Sequence, residues 1–140
     1  MKLLITNKNQ QVVEGYHIVD LSNGESQLND VVNNSCTDVI LSSNCLESVD
    51  KETAKTVLNT ACQKVRLKGS ISVAGIELKN LCRDTLNNSL SSDEFNNIIK
   101  DVKSILTSKE VCDQLRSMRL QIDTTVVQGH VYDIKASRPN

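Results

Sequence analysis

The chain has 140 residues and a formal net charge of −1, from 16 Lys and Arg against 17 Asp and Glu. This length suits one hydrophobic core, so residues 1–140 are expected to form a single domain. A charge balance near zero excludes nucleic-acid binding through a basic excess, and no apolar run approaches the roughly 20 residues that span a bilayer. The N-terminal apolar run is too short for the core of a signal peptide, so we expect a cytoplasmic protein.

The composition indicates an aliphatic core. Aromatic residues make up only 2% of the chain against 39% for all hydrophobic residues, so the stacking platforms of single-stranded nucleic-acid binding are missing. The five cysteines are widely spaced and include no Cys-x-x-Cys pair: Cys36, Cys45, Cys62, Cys82 and Cys112. That pattern favours buried, reduced thiols over a disulfide framework, and no metal site is expected.

Three apolar runs of strand length open the chain. They lie at Lys2–Thr6, residues 17–21 and residues 38–42, and the third has three consecutive large aliphatic side chains, as a strand buried on both faces requires. Behind Asp50, which suits an N-cap, apolar residues recur at helical spacing and predict a helix of about four turns. This alternation is typical of an α/β sheet with crossover helices.

The middle of the chain predicts a further strand followed by helices. Residues 70–74 form the strand, and Gly75 is expected to permit a sharp turn at its end. Ser91 and Glu94 have capping-box spacing, and the apolar residues behind them predict one amphipathic helix that includes residues 95–106. Thr107 and Glu110 repeat the capping-box spacing and predict another helix.

The C-terminal residues predict an antiparallel hairpin. Two strand-like runs flank a two-residue connection at Gln128 and Gly129. The predicted fold is therefore α/β, a single small doubly wound (Rossmann-like) sheet, mostly parallel, with a C-terminal antiparallel hairpin. Ligands of such sheets bind at the carboxyl ends of the strands, which points to the residues just after Thr6, Leu21 and Leu41, and after Ala74.

Five phrases, in chain order, carry a resemblance to a known family. They are EGYHIVDL (14–21), ND (29–30), DVILSSNCLES (38–48), VRLKGSISV (65–73) and VYDIKASRP (131–139). In this order they resemble the class I S-adenosylmethionine-dependent methyltransferases of the methyltransferase-11-like kind. The resemblance covers nearly the whole chain.

The resemblance also implies positions for a cofactor and a substrate. Asp20 matches the acid whose two carboxylate oxygens accept from ribose hydroxyls, and Asp30 would face the adenine amine. Asn44 and Glu47 would lie at the substrate-facing edge, and Asp20, Asp30 and Asn44 are expected to bind S-adenosylmethionine if the chain is active. From the residues alone, Asp20 also suits the cap of a turn over residues 21–24, and strand-end polar residues are common without function. No catalytic residue is assigned.

The sequence departs from the family pattern at the cofactor turn. The family has a glycine-rich turn because the backbone passes close to the cofactor, whereas residues 6–10 here read TNKNQ. Lys8 would in addition repel the positively charged sulfonium of the cofactor. Ser48 replaces a histidine of the pattern, and Ser70 replaces its second glycine. These departures favour a chain without a cofactor, with enzymatic activity left as the alternative.

Three function classes follow from these observations. The favoured one is a non-catalytic methyltransferase-fold module with a structural or protein-interaction role, bound to another protein chain. Short Asn- and Lys-rich relatives of this family occur in phage genomes, so the resemblance allows a virion-associated component of a phage particle or its assembly. The others are an active S-adenosylmethionine-dependent methyltransferase acting on a small molecule, sugar or protein, and a small-molecule binder without the chemistry.

The three classes differ in what they predict at the strand ends. An active enzyme predicts an open cleft with Asp20 facing inward, and a binder predicts an open pocket without groups placed for methyl transfer. An interaction module predicts a cleft filled by Lys8, Gln10 or Tyr16, and an apolar patch buried against another chain. His130 has no metal-ligand cluster or nucleophile near it in sequence, so a satisfied or solvent-facing histidine is expected.

Overall fold

The computed structural model describes residues 2–7, 14–21 and 33–139. Within these ranges there are six strands: β1 (Lys2–Thr6), β2 (Tyr16–Asp20), β3 (Asp38–Leu41), β4 (Ser70–Ile76), β5 (Gln121–Gln128) and β6 (Val131–Ser137). They form one sheet in the order β2-β1-β3-β4-β6-β5. The first four strands pair in parallel, and β6 runs antiparallel between β4 and β5. The predicted fold class is confirmed.

Helices connect and cover this sheet. The described helices are α1 (Lys51–Lys64), α2 (Leu78–Leu86), α3 (Ser92–Ile99) and α4 (Ser108–Ser117), with a short 3-10 turn at Leu46–Ser48. The Asp50 carboxylate accepts a hydrogen bond from the Thr53 N–H at 2.8 Å, which caps α1. Thr107 and Glu110 form a complete capping box at the start of α4. Both predicted N-termini are therefore confirmed.

The hydrophobic core lies between the sheet and two of the helices. The apolar stripe of α1 is fully buried, as are inward-facing residues of α4 and alternate residues of β1, β3, β4 and β6. Cys45, Cys62 and Cys112 are buried in this core, whereas Cys36 and Cys82 are exposed. In the part of the chain that the structure describes, no helix combines the length and the apolar character needed to cross a membrane.

The helix predicted to include residues 95–106 is wrong in extent. Helix α3 ends at Ile99, and none of its residues is fully buried. Beyond it, the Lys103 N–H donates to the Glu47 carbonyl at 2.7 Å, and the Ser104 hydroxyl donates to the Val49 carbonyl at 2.7 Å. These contacts with the 3-10 turn and the residue after it replace the helical ladder, because the segment packs across the sheet edge.

Two glycines also differ from expectation. Gly75 lies within β4, paired with Tyr132, and forms no turn. The hairpin connection consists of Gly129 and His130, one residue later than predicted, because Gln128 pairs with Val131. Gly129 takes a positive φ of 57°, which glycine adopts without steric penalty.

Candidate ligand-binding cleft

A cleft of about 290 Å³ opens at the carboxyl edge of the sheet. Its described lining comes from Asn7 after β1, residues 43, 44 and 47 after β3, and Gly75 and Ile76 of β4. The opposite side is closed by residues 97, 98 and 100–102 around the end of α3, together with His130 and Val131 of the hairpin. The cleft therefore lies where a doubly wound sheet binds its ligands.

Glu47 is the most deeply buried ionisable group of the cleft. Its residue surface is only 2% exposed, and its Oε1 accepts a hydrogen bond from the Ile76 N–H at 2.8 Å. Its Oε2 is buried and has no hydrogen-bond partner among the described residues. Burial raises the pKa of the Glu47 carboxyl above its ordinary value, against the lowering effect of the Ile76 bond.

Tyr132 of β6 lies close to this carboxyl and pairs with Gly75, which lines the cleft. It is fully buried, and its hydroxyl donates to the Leu106 carbonyl at 3.1 Å. Burial, followed by the nearby Glu47 and Glu77 carboxyls, raises the pKa of the Tyr132 phenol. The phenol is therefore neutral, and it acts as a hydrogen-bond donor that holds the 103–106 segment on the sheet.

Gly75 makes room for both side chains. A Cβ at this position would lie 2.5 Å from Tyr132 Cζ and 2.8 Å from Glu47 Oε1. Both distances are shorter than any relaxed contact, and both neighbours are anchored by hydrogen bonds. The glycine that the sequence suggested as a turn thus leaves space for both the Tyr132 phenol and the Glu47 carboxyl.

The rim of the cleft is polar and carries both signs of charge. Asn44 is exposed and has a positive φ of 67°, a conformation that asparagine tolerates better than most residues. Lys100 and Asp101 line the opposite side of the cleft. The His130 carbonyl accepts the Glu77 N–H at 2.7 Å, which ties the hairpin turn to the end of β4.

The sequence-predicted site residues are only partly brought together. Asn44 lines the cleft, together with Glu47. Asp20 ends β2 opposite Thr6, is half-buried, and is not among the described residues of the lining. Asp30 lies outside the described residues.

Of the three residues expected to fill the cleft, only Tyr16 is described by the structure. Lys8 and Gln10 lie outside the described residues. Tyr16 begins β2, and its ring centroid lies 5.8 Å from the Lys2 ammonium at the opposite edge of the sheet. The expectation that Tyr16 fills the cleft is therefore wrong, because its strand carries it to the amino edge.

His130 is a cleft residue that the sequence analysis did not assign to the site. It is half-buried and belongs to the hairpin turn beside Ile76. Its position would follow from the sheet order, because a strand that pairs antiparallel with β4 begins at the carboxyl end of β4, and His130 directly precedes that strand. The identity of that pairing, however, was not readable from local sequence.

No protein-family model and no curated protein matches the sequence of the chain. Solved structures do match its fold. A SAM-dependent methyltransferase from Archaeoglobus fulgidus superposes with a TM-score of 0.64 at 13% identity, over 98% of this chain and 86% of that one. The chain has the class I S-adenosylmethionine-dependent methyltransferase fold.

Other matches to this methyltransferase fold come from longer proteins. An O-methyltransferase family protein from Burkholderia thailandensis gives a TM-score of 0.61 at 12% identity, over 89% of this chain and 36% of that one. Magnesium protoporphyrin IX methyltransferase from Synechocystis PCC 6803, solved with bound SAH, gives 0.55 at 12% identity, over 88% and 50%. The chain thus spans about a third to a half of these two proteins. At such identities the likeness concerns the fold alone.

Proposed function

We propose that this methyltransferase-fold chain binds a small polar ligand in the carboxyl-edge cleft, and that S-adenosylmethionine is the first ligand to test. The observation that carries the proposal is the open cleft of about 290 Å³ with Asn44 and Glu47 in its wall. A cleft filled by the chain's own side chains would leave a ligand no room. Of the side chains expected to fill the cleft, Tyr16 lies at the amino edge, and the described lining leaves about 290 Å³. The described residues therefore favour a binder or an enzyme over a module with a closed site.

The described ends of β1 and β2 offer groups that would hold this ligand. Asp20 and Thr6 stand side by side at the ends of β2 and β1, and Asn7 continues from Thr6 into the cleft wall. Asp20 would accept hydrogen bonds from the ribose hydroxyls, and Asn44 would contact the part of the ligand that enters the cleft. When bound, S-adenosylmethionine supplies an electrophilic methyl group. Methyl transfer to a small acceptor in the same cleft is the reaction class that we propose.

The test is calorimetric titration with S-adenosylmethionine and its demethylated product, followed by an assay with radiolabelled methyl groups. Micromolar binding that Asp20→Ala weakens at least tenfold supports the proposal. Asp133→Ala is the matched control, since Asp133 is an exposed carboxylate on β6. Absence of binding at millimolar ligand, from a sample that melts cooperatively, would overturn it. Binding without methyl transfer would reduce the function to ligand binding.

A second candidate is the non-catalytic module in a structural or protein-interaction role. Two observations favour it: residues 6–10 contain no glycine, and α2 presents Leu78 and Leu86 at 38% and 85% exposure. Exposed apolar side chains on one helix suit contact with another protein chain. A place in a phage particle or its assembly belongs to this candidate.

Light scattering at increasing protein concentration tests self-association through α2. The second candidate expects an oligomer that Leu86→Lys dissociates. Leu67→Lys serves as the control, because Leu67 is 63% exposed but lies outside α2. A protein that stays monomeric at all concentrations and binds S-adenosylmethionine would favour the first candidate, the ligand-binding function.

A further inference from the structure

The two oxygens of the Glu47 carboxyl have unequal environments. Oε1 is used within the fold, because it accepts from the Ile76 N–H at 2.8 Å. Oε2 is buried without a hydrogen-bond partner among the described residues, although Glu47 belongs to the wall of the cleft. A buried carboxyl oxygen without a donor is costly, so this atom is poised to accept a hydrogen bond from something that enters the cleft.

The charged and titratable neighbours of Glu47 do not neutralise it. Within the described ranges, none of the Lys, Arg and His side chains forms an ion pair with its carboxylate. The Lys103 backbone N–H donates to the main-chain carbonyl of Glu47 and not to its carboxylate. The groups around it on the packed elements and in the cleft wall are Cys45, Glu77, Lys100, Asp101, His130 and Tyr132.

We propose that Glu47 Oε2 accepts a hydrogen bond from an ammonium group of the ligand, so that the cleft selects amines. This inference deepens the proposed function and rests on it. An ammonium group supplies both missing elements, a donor for Oε2 and a positive charge for the buried carboxylate. A hydroxyl supplies only the donor and leaves the charge uncompensated. The ammonium has two chemical sources: an acceptor amine, or the α-ammonium of S-adenosylmethionine.

The first experiment compares benzylamine with benzyl alcohol, which have the same shape and differ in charge. Binding is followed at pH 7.5 through the amide resonances of Gly75 and Ile76. We expect benzylamine to bind about tenfold more tightly than benzyl alcohol, and Glu47→Gln to abolish this preference. Glu77→Gln is the matched control, because Glu77 also has a buried oxygen with no hydrogen-bond partner within the described ranges, but lies outside the described cleft lining.

A direct measurement covers the case in which Glu47→Gln does not fold. The carboxyl carbon of Glu47 is titrated by carbon NMR in the unaltered chain, with and without saturating amine. A bound cation favours the ionised carboxyl, so the amine is expected to lower the pKa of Glu47. An unchanged titration with amine bound at the cleft amides would overturn the inference.

The two sources of the ammonium, an acceptor amine and the cofactor, are distinguished by titrating S-adenosylmethionine and 5′-methylthioadenosine, which lacks the amino-acid portion. If Glu47→Gln weakens only S-adenosylmethionine, and benzylamine does not bind, the cofactor supplies the ammonium. If benzylamine binds through Glu47 while S-adenosylmethionine does not bind, the proposed cofactor is wrong and amine selection stands. The inference would be overturned if benzylamine and benzyl alcohol bound equally well, or if Glu47→Gln left the binding of the amine unchanged. It would also be overturned if neither benzylamine nor S-adenosylmethionine bound.

Discussion

Replacing Gly75 with alanine tests the packing at the base of the cleft. The added methyl would lie 2.5 Å from Tyr132 Cζ and 2.8 Å from Glu47 Oε1. Neither neighbour can yield without loss, because the Tyr132 hydroxyl is bonded to the Leu106 carbonyl and Glu47 Oε1 to the Ile76 N–H. Gly75 does not have a positive φ, so alanine brings no backbone strain and the effect is steric.

The expected loss of stability follows from these contacts. Overpacking a dense core costs about 1–3 kcal/mol, and each weakened hydrogen bond adds about 1 kcal/mol. We therefore expect Gly75→Ala to lower the free energy of unfolding by about 2–5 kcal/mol, measured by urea denaturation. Gly129→Ala is the control, since its Cβ would meet nothing within 4 Å and only its positive φ matters. Its cost is expected to be about 1 kcal/mol.

A double-mutant cycle with Tyr132→Phe identifies the cause. Phenylalanine lacks the hydroxyl, which is the atom nearest to the added methyl, and it lacks the bond that anchors the ring. The cost of Gly75→Ala should therefore fall by about 1 kcal/mol or more in that background, while the cost of Gly129→Ala stays the same. A Gly75→Ala cost below about 1 kcal/mol, or one independent of Tyr132, would refute the steric reasoning.

Three further predictions concern ionisation, capping and thiol chemistry. Burial raises the folded-state pKa of Glu47 above 4.5, so the native state holds the proton more tightly, and the free energy of unfolding should fall as pH rises from 4.5 through the raised pKa. Urea unfolding at a series of pH values should show this fall in the unaltered chain and not in Glu47→Gln. The same dependence of the free energy of unfolding on pH in both proteins would contradict the prediction. Thr107→Ala removes the acceptor of the Glu110 N–H bond and should lower the free energy of unfolding by about 1 kcal/mol, whereas Thr107→Ser, which keeps a hydroxyl, should lower it less. Equal melting temperatures for the two variants would argue against the cap. Burial raises the pKa of two cysteine thiols to about 12, those of Cys45 and Cys62. These thiols should resist a disulfide reagent at pH 8 until the chain unfolds, while the exposed Cys36 and Cys82 react first; early labelling of a buried thiol, located by mass spectrometry, would contradict this.

The features that the sequence predicted correctly depend on near neighbours. The capping box of Thr107 and Glu110 needs only the spacing of the two residues and a helix behind them. The buried stripe of α1 likewise follows from the helical period of its apolar residues. Such features are local, so they do not depend on which distant segments pack together.

The features that the sequence missed depend on residues far apart in the chain. Gly75 looks like a turn residue until β6 is paired with β4 and Tyr132 is placed opposite it. The apolar spacing of residues 95–106 satisfies a helix, yet Lys103 and Ser104 bond to residues 47 and 49 instead. Those bonds exist only after the segment has packed across the sheet edge.

The sequence by itself determined the α/β class, most of the elements and the edge of the sheet at which the cleft opens. Periodicity and capping act over a few residues, and the carboxyl edge follows from a parallel arrangement. Only the tertiary structure decided that Glu47 is buried, with one oxygen that has no hydrogen-bond partner in the described part of the chain, and that His130 joins the cleft wall. Burial and hydrogen-bond satisfaction are properties of the packed chain, because each depends on which distant segments exclude water from the same atom.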